Sequence, residues 1–314
     1  MSQVRFDDHV AVVTGAGGGL GREYAILLAK RGAKVLVNDL GCNFLGEGSD
    51  KGYAQAVTDE ITAVGGIALA NGDTVTTTEG AESIIRQAVS AWGKVDILIN
   101  NAGLVRSSGS LDQVTDEDYD FDMSIAAGGT FRMARAVWRM MRDRNYGRIL
   151  NVASGSVFGM GSAVPYPATK MAVIGMTRSL AVAARDHNKN IKVNCILPAA
   201  YGRLSHLMGP KAEASMKRHF PVHSCAPVAA WLVHRDVPCN GEILTVGGGR
   251  FARVFIGVAQ GYRGSKDITI EEVRDHFDEG MDITNFRIPT STFEEVAMHT
   301  SEFEWGEFKQ MMPC

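Results

Sequence analysis

The chain has 314 residues, 45% of them hydrophobic and 21% charged, with a formal net charge of −3. That balance is ordinary for a globular protein with a core of normal size, and it argues against nucleic acid or an anionic membrane as a partner. No apolar run reaches the roughly eighteen residues of a transmembrane helix.

In chain order, the first short apolar run is "HVAVVT" (9–14). It is followed by "KVLVND" (34–39), "GIALAN" (66–71), "VDILIN" (95–100), "RILNVA" (148–153), "KVNCIL" (192–197) and "EILTVG" (242–247). Each is rich in Val, Ile or Leu and bounded by Gly, Asp or Asn, which is the pattern of a strand buried on both faces. Helical periodicity fills the gaps over 20–31, 79–91, 116–145 and 168–187. This alternation predicts an α/β fold, a Rossmann-type doubly wound parallel sheet with helices on both faces. The glycine-rich stretch 40–51, "LGCNFLGEGSDK", reads as an inserted loop. After Gly249 come two helix-start signals, Thr269 with Glu272 and Ser291 with Glu294. The expected organisation is a main domain over 1–249 and a C-terminal helical extension over 250–314 packed on it.

The N-terminal "MSQVRFDDHVAVVTG" lacks the basic-then-apolar pattern of a secretory signal, and "QMMPC" is not a peroxisomal address. The five cysteines, Cys42, Cys195, Cys225, Cys239 and Cys314, contain no C-x-x-C and read as reduced thiols. A cytoplasmic location is expected from this usage.

The first strand runs into a helix through "VVTGAGGGLGREYA", with Gly15, Gly19 and Gly21 spaced G-x-x-x-G-x-G. Such a loop lets the backbone turn tightly and approach a pyrophosphate at the positive end of the helix. Asp39 ends the second strand, 24 residues after Gly15. A carboxylate there accepts hydrogen bonds from both adenosine ribose hydroxyls and repels a 2′-phosphate. Gly18 and Leu40, the neighbours best placed to offset such a phosphate, are uncharged, so NAD is favoured over NADP.

"VPYPATKMA" sets Tyr166 between two prolines with Lys170 four residues on, which puts both on one helix face. A free phenol is a poor base at neutral pH, and a neighbouring ammonium favours the phenolate. Tyr166 is then suited to take the proton of a substrate alcohol as hydride leaves for NAD. Ser154, in "NVASGS" at the end of the fifth strand, can hold the substrate oxygen, with Ser156 as runner-up.

The glycine loop, "NNAG" at 100–103, Ser154 and Tyr166-x-x-x-Lys170 together resemble the short-chain dehydrogenase/reductase family over about the first 250 residues. The resemblance implies that Gly15, Gly19, Leu20 and Gly21 meet the cofactor. It also implies that Asp73 in "NGDTV" contacts the adenine and that Asn101, Ala102 and Gly103 line the site. Tyr166 and Lys170 then serve both cofactor and chemistry. Ala126 falls where many members carry an Asn that completes a proton relay, which leaves water or another donor there; Ser124 serves only if the helix is irregular. Pro198 and Ala199 replace the usual "PG".

"VNDLGCNFLGEG", "YGRILNVAS", "CNGEILTVGGG" and the tail "ITIEEVRDHFDEGMDI" are more specific. They resemble the (3R)-hydroxyacyl-CoA dehydrogenase units of type-2 peroxisomal multifunctional enzymes, without the hydratase and lipid-carrier units, so a free-standing version is expected. The implied substrate is a (3R)-hydroxyacyl-CoA or a hydroxysteroid, and the implied assembly is a homodimer or homotetramer. In the segment 199–220, Leu204, Leu207, Met208 and Met216 offer an adaptable apolar surface. Arg203, His206, Lys211, Lys217 and Arg218 either meet coenzyme A phosphates or form a solvated face. His219 and His223 are separated by Pro221, which spoils a helical metal pair, and no metal is expected. A different class, a nucleotide-sensing or scaffold protein without catalysis, is favoured only by Ala126 and opposed by the intact Ser154, Tyr166 and Lys170.

Overall fold

A computed structural model describes residues 3–43, 45–202, 205 and 209–299. Arg203, Leu204, His206, Leu207, Met208 and Cys314, named above, lie outside the described residues. The chain divides into two compact units, Met1–Arg253 and one that begins at Val254, slightly later than the expected boundary at 249/250.

All seven apolar runs form strands, with ends within two residues of those read from the sequence. They are β1 (Val10–Thr14), β2 (Lys34–Asn38), β3 (Ile67–Asn71), β4 (Ile97–Asn100), β5 (Gly147–Val152), β6 (Ile191–Pro198) and β7 (Ile243–Gly247). β8 (Arg250–Val254) adds an edge that the sequence did not announce. The order is β3-β2-β1-β4-β5-β6-β7-β8, and the pairs from β3 to β7 are parallel. The chain crosses from β3 back past β1 to β4. That reversal opens a crevice at the carboxyl ends of β1 and β4, where ligands of such sheets bind.

Alternate residues along the strands feed two cores. Ala11, Val13, Val35, Val37, Ile97 and Ile99 face one, against α1 (Gly19–Lys30) and α8 (Ala226–Leu232). Val10, Val12, Leu36, Leu98, Ile149 and Val193 face the other, against α3 (Thr78–Trp92) and α5 (Gly128–Asp143). This period of two, with both faces covered, is why the strands read as continuous apolar runs. Truncating one of these fully buried isoleucines to alanine costs about 2–5 kcal/mol.

Three helices differ from expectation. α2 (Gly52–Ala63) forms where none was read, burying Ala54, Val57 and Ile61. The helix expected over 116–145 is interrupted: α4 (Asp116–Asp122) passes through a π-turn at Met123–Ala127 into α5. α6 (Pro165–Asp186) begins three residues before the expected 168. Pro165 and Pro167 thus sit in its first turn, where no helical partner is lost. α7 spans Pro210–His219.

In the second unit, α9 (Ile270–Asp275), α10 (Phe277–Met281) and α11 (Thr292–Val296) are joined by a two-stranded antiparallel ribbon of β9 (Val258–Ala259) and β10 (Phe286–Arg287). The extension is therefore not purely helical. The N-cap half of each capping box forms, the Thr269 hydroxyl accepting from the Glu272 N–H at 3.1 Å and the Ser291 hydroxyl from the Glu294 N–H at 3.2 Å, while the Glu272 carboxylate accepts from the Tyr262 hydroxyl and the Glu294 carboxylate from Thr290.

Candidate active site

The crevice at the ends of β1 and β4 holds a cleft of about 530 Å³ in the first unit. Gly15, Gly19 and Leu20 line it at one end. Gly18 caps α1 with no side-chain bond, so the first-turn N–H groups of that helix are left for a ligand. Side chains are excluded behind the loop. A Cβ on Gly15 would come 2.8 Å from the Ala102 Cα, and one on Gly21 would strike the Gly15 carbonyl and reach within 2.5 Å of the Asn101 amide nitrogen. Gly21 is buried behind the loop and does not line the cleft.

Asn101 ties the loop to β4. Its side-chain amide donates to the carbonyls of Thr14 and Gly15 at 3.0 and 2.9 Å. The Thr14 hydroxyl accepts the N–H groups of Asn101 and Ala102, both at 3.1 Å. Asn101 and Gly103 line the cleft, whereas Ala102 packs behind them. Thr14 was not singled out in the sequence, because a strand-end threonine carries no motif.

Asp39 lies on the cleft wall. One carboxylate oxygen accepts the Gly17 N–H and the other the Gly41 N–H, each at 2.8 Å. It therefore joins the glycine loop to the start of the inserted loop. Tyr53 and Cys42 stand beside it, and neither was anticipated. Lys170 is the one lysine or arginine among the described lining residues, and Tyr166 and Ser154 line the same cleft. Asp73 is not brought to the cleft lining; its carboxylate accepts from the Asn71 amide at 3.1 Å, and its carbonyl from the Asn38 amide at 2.8 Å.

Ser154, Tyr166 and Lys170 meet in the same cleft. Lys170 is 4% exposed, and its ammonium donates to the Val152 carbonyl at 3.0 Å. It lies 5.6 Å from the centroid of the Tyr166 ring. The Ser154 hydroxyl accepts the Ser156 N–H at 3.1 Å and caps the short 3-10 turn Gly155–Phe158. The Ser156 hydroxyl is buried without a hydrogen-bond partner and does not line the cleft. The Tyr166 N–H donates to the Ala163 carbonyl at 3.0 Å, and Ala163 holds φ at 57°, uncommon for alanine.

Ala126 is 1% exposed and lies in the π-turn. A Cβ on Gly103 would sit 3.3 Å from the Lys170 ammonium and 4.0 Å from the Ala126 Cβ, so Gly103 lies between the two. The helix is irregular there, but the Ser124 hydroxyl donates to the Phe121 carbonyl at 2.9 Å, along its own helix. Pro198 lines the cleft; Lys211, Lys217 and Arg218 are exposed on α7 and do not. Burial pushes the Cys195 thiol up to about 12 and the Cys225 thiol up to about 11, so neither supplies a thiolate nucleophile near neutral pH. Among the described residues no group of side chains is arranged to hold a metal ion, and no helix is long and apolar enough to cross a membrane.

Residues 9–203 match the family model for short chain dehydrogenases. Peroxisomal multifunctional enzyme A of Dictyostelium discoideum is 39% identical over 94% of this chain and 65% of its own length. The solved full-length peroxisomal multifunctional enzyme type 2 of Drosophila melanogaster superposes with a TM-score of 0.75 at 29% identity, over 98% of this chain and 50% of that one. A solved 7α-hydroxysteroid dehydrogenase, complexed with NADH and 7-oxo glycochenodeoxycholic acid, gives a TM-score of 0.69 at 29% identity, over 78% of this chain and 95% of that one. The chain spans about two thirds or less of the length of the multifunctional relatives it matches. Their peroxisomal names overturn the cytoplasmic expectation, which had rested on cysteine usage and could not separate one reducing compartment from another. With the glycine loop, the Ser–Tyr–Lys cleft and these likenesses together, the chain belongs to the short-chain dehydrogenase family of oxidoreductases.

Proposed function

We propose that the enzyme uses NAD to interconvert a secondary alcohol and a ketone on a bulky apolar substrate, a (3R)-hydroxyacyl-CoA. The observation that carries the chemistry is the meeting of Ser154, Tyr166 and Lys170 in the cleft that begins at the glycine loop. A dinucleotide fits the other end. α1 presents uncapped N–H groups, a Cβ added to Gly18 or Gly19 would meet nothing within 4 Å, and Asp39 stands where ribose hydroxyls can donate to its remaining lone pairs. When bound, the nicotinamide would supply the acceptor for the hydride of the carbinol carbon. Tyr166 takes the hydroxyl proton, Ser154 holds the oxygen, and Lys170 supplies the positive charge that favours the phenolate. With Ala126 where an asparagine is usual, the proton path beyond Lys170 runs through water.

The acyl-CoA choice is supported by the relatives named as multifunctional enzymes, and a peroxisomal setting belongs to the same reading. A hydroxysteroid is the second reading, supported by the likeness to the 7α-hydroxysteroid dehydrogenase and by the exposure of Lys211, Lys217 and Arg218 away from the cleft lining. A homodimer or homotetramer is part of the proposal, and sedimentation reads it directly. The substrate test is the Michaelis constant for both alcohol types across a salt series, with Lys217→Ala and Arg218→Ala beside the wild type. Turnover of the thioester, with a Michaelis constant that rises with salt because exposed charges are screened, supports the first reading. Efficient steroid oxidation without thioester turnover selects the second.

A further inference from the structure

Asp122 belongs to none of the motifs above, yet it is completely buried at the end of α4. One of its oxygens accepts the Arg106 N–H at 2.8 Å, and the other accepts the Ser107 hydroxyl at 2.5 Å. Both partners lie on the irregular segment that leaves β4, immediately after Leu104 and Val105, which line the cleft. The Arg106 guanidinium adds a 3.0 Å ion pair with Asp118 and lies 5.4 Å over the Phe121 ring, so α4 grips this segment from three residues. Farther along, the Gly109 carbonyl accepts the Ala163 N–H at 3.3 Å, and the Ala163 carbonyl accepts the Tyr166 N–H. The segment is thus held between Asp122 and the entry to the tyrosine helix.

A buried carboxylate is costly unless its oxygens are satisfied, and here both are satisfied by one loop. Bonds directed at a backbone N–H and at the next residue's hydroxyl define that loop's position more sharply than apolar contact does. The residue after Asp122 opens the π-turn that contains Ala126. On the dehydrogenase reading above, we infer that Asp122 is a positioning residue: it fixes the Leu104 and Val105 wall relative to Tyr166 and Lys170, and so sets how the substrate carbinol meets the base.

The test compares Asp122→Ala, Asp122→Asn and Ser107→Ala with the wild type in kcat and KM for the secondary alcohol, in NADH affinity by fluorescence, and in amide exchange over 104–107. Asp122→Ala is expected to lower kcat/KM by ~10- to 10²-fold, the scale of an ångström-sized misplacement. NADH affinity is expected to stay within about twofold, since the glycine loop and Asp39 are untouched. Asp122→Asn keeps an acceptor for the Arg106 N–H and can donate to Ser107, so it should recover most of the loss. Ser107→Ala removes a single bond and gives a smaller fall, which keeps the inference testable if Asp122→Ala does not fold. A kcat/KM within about twofold of wild type in Asp122→Ala, or in Ser107→Ala should Asp122→Ala not fold, would overturn the inference, as would NADH affinity falling in step with kcat/KM. If the wild type oxidises no alcohol, the dehydrogenase reading fails by itself. Amide exchange then decides the clamp, with faster exchange at Arg106 in the folded alanine variant supporting it and unchanged exchange overturning it.

Discussion

The Lys170 ammonium lies 5.6 Å from the centre of the Tyr166 ring while donating to the Val152 carbonyl. The carbonyl bond anchors the lysine at the end of β5, so its charge is held at a fixed place beside the phenol. Lys170→Met keeps an unbranched apolar stem and removes the charge. Turnover should fall by at least ~10²-fold, without a fall in thermal midpoint, because an apolar isostere of a buried cation is tolerated. Activity within a few-fold of wild type would mean that the charge is not used.

Asp39 bridges Gly17 and Gly41 through its two oxygens. Asp39→Ala removes both bonds and also the acceptor offered to the ribose hydroxyls; one bond to a charged group is worth about 1.5–3 kcal/mol, so NAD affinity should fall by ~10-fold or more. Rejection of NADP should relax at the same time, because the repelling carboxylate is gone. Comparison of NAD and NADP kinetics in both proteins checks this; a wild type that uses the two cofactors equally contradicts the role.

The Ala126 position tests the relay. Ala126→Asn is expected to preserve or raise turnover with the fold intact, because the asparagine would take over a path otherwise carried by water. A solvent isotope effect on kcat that shrinks in the variant would support this. Turnover abolished in a folded Ala126→Asn protein would contradict it.

The sheet was legible because strands buried on both faces are mostly apolar, as at four of the six positions in both "VDILIN" and "RILNVA". Ser154, Tyr166 and Lys170 were legible through their spacing, since the strand-to-helix connection and one helical turn fix their distance. α2 was missed because Lys51 gives its start no side-chain cap and all four of its buried residues, Ala54, Val57, Thr58 and Ile61, are small or β-branched. The clamp at Asp122 was illegible for a different reason. Its partners are 15 and 16 residues away, and only the fold brings the two segments together. The irregular helix turn expected near Ala126 is present as the π-turn, but the Ser124 hydroxyl that it was to free donates to the Phe121 carbonyl.

His9 gives the fold a pH dependence. Its Nδ1 donates to the Asp7 carbonyl and its Nε2 pairs with the Tyr146 hydroxyl, both at 3.0 Å, and the neutral ring satisfies both. Burial pushes its pKa below the ordinary histidine value. The unfolded chain therefore takes up a proton near pH ~6.5 that the folded chain refuses. Stability should be full above that pH and decline as pH falls toward the folded-state pKa. Thermal midpoints measured between about pH 7.5 and 5.5 should drop less in His9→Gln than in the wild type; equal drops would remove His9 from the account.

The most direct measurement is the initial rate of NADH formation from NAD and a (3R)-hydroxyacyl-CoA, or a hydroxysteroid if that is the substrate taken, for the wild type and Tyr166→Phe side by side. Tyr166→Phe keeps the ring over which Lys170 lies and removes only the phenolic hydroxyl. The account predicts steady NADH formation by the wild type, a rate at least ~10²-fold lower for Tyr166→Phe, and nearly equal NADH binding by the two. A Tyr166→Phe enzyme within a few-fold of the wild-type rate would contradict it.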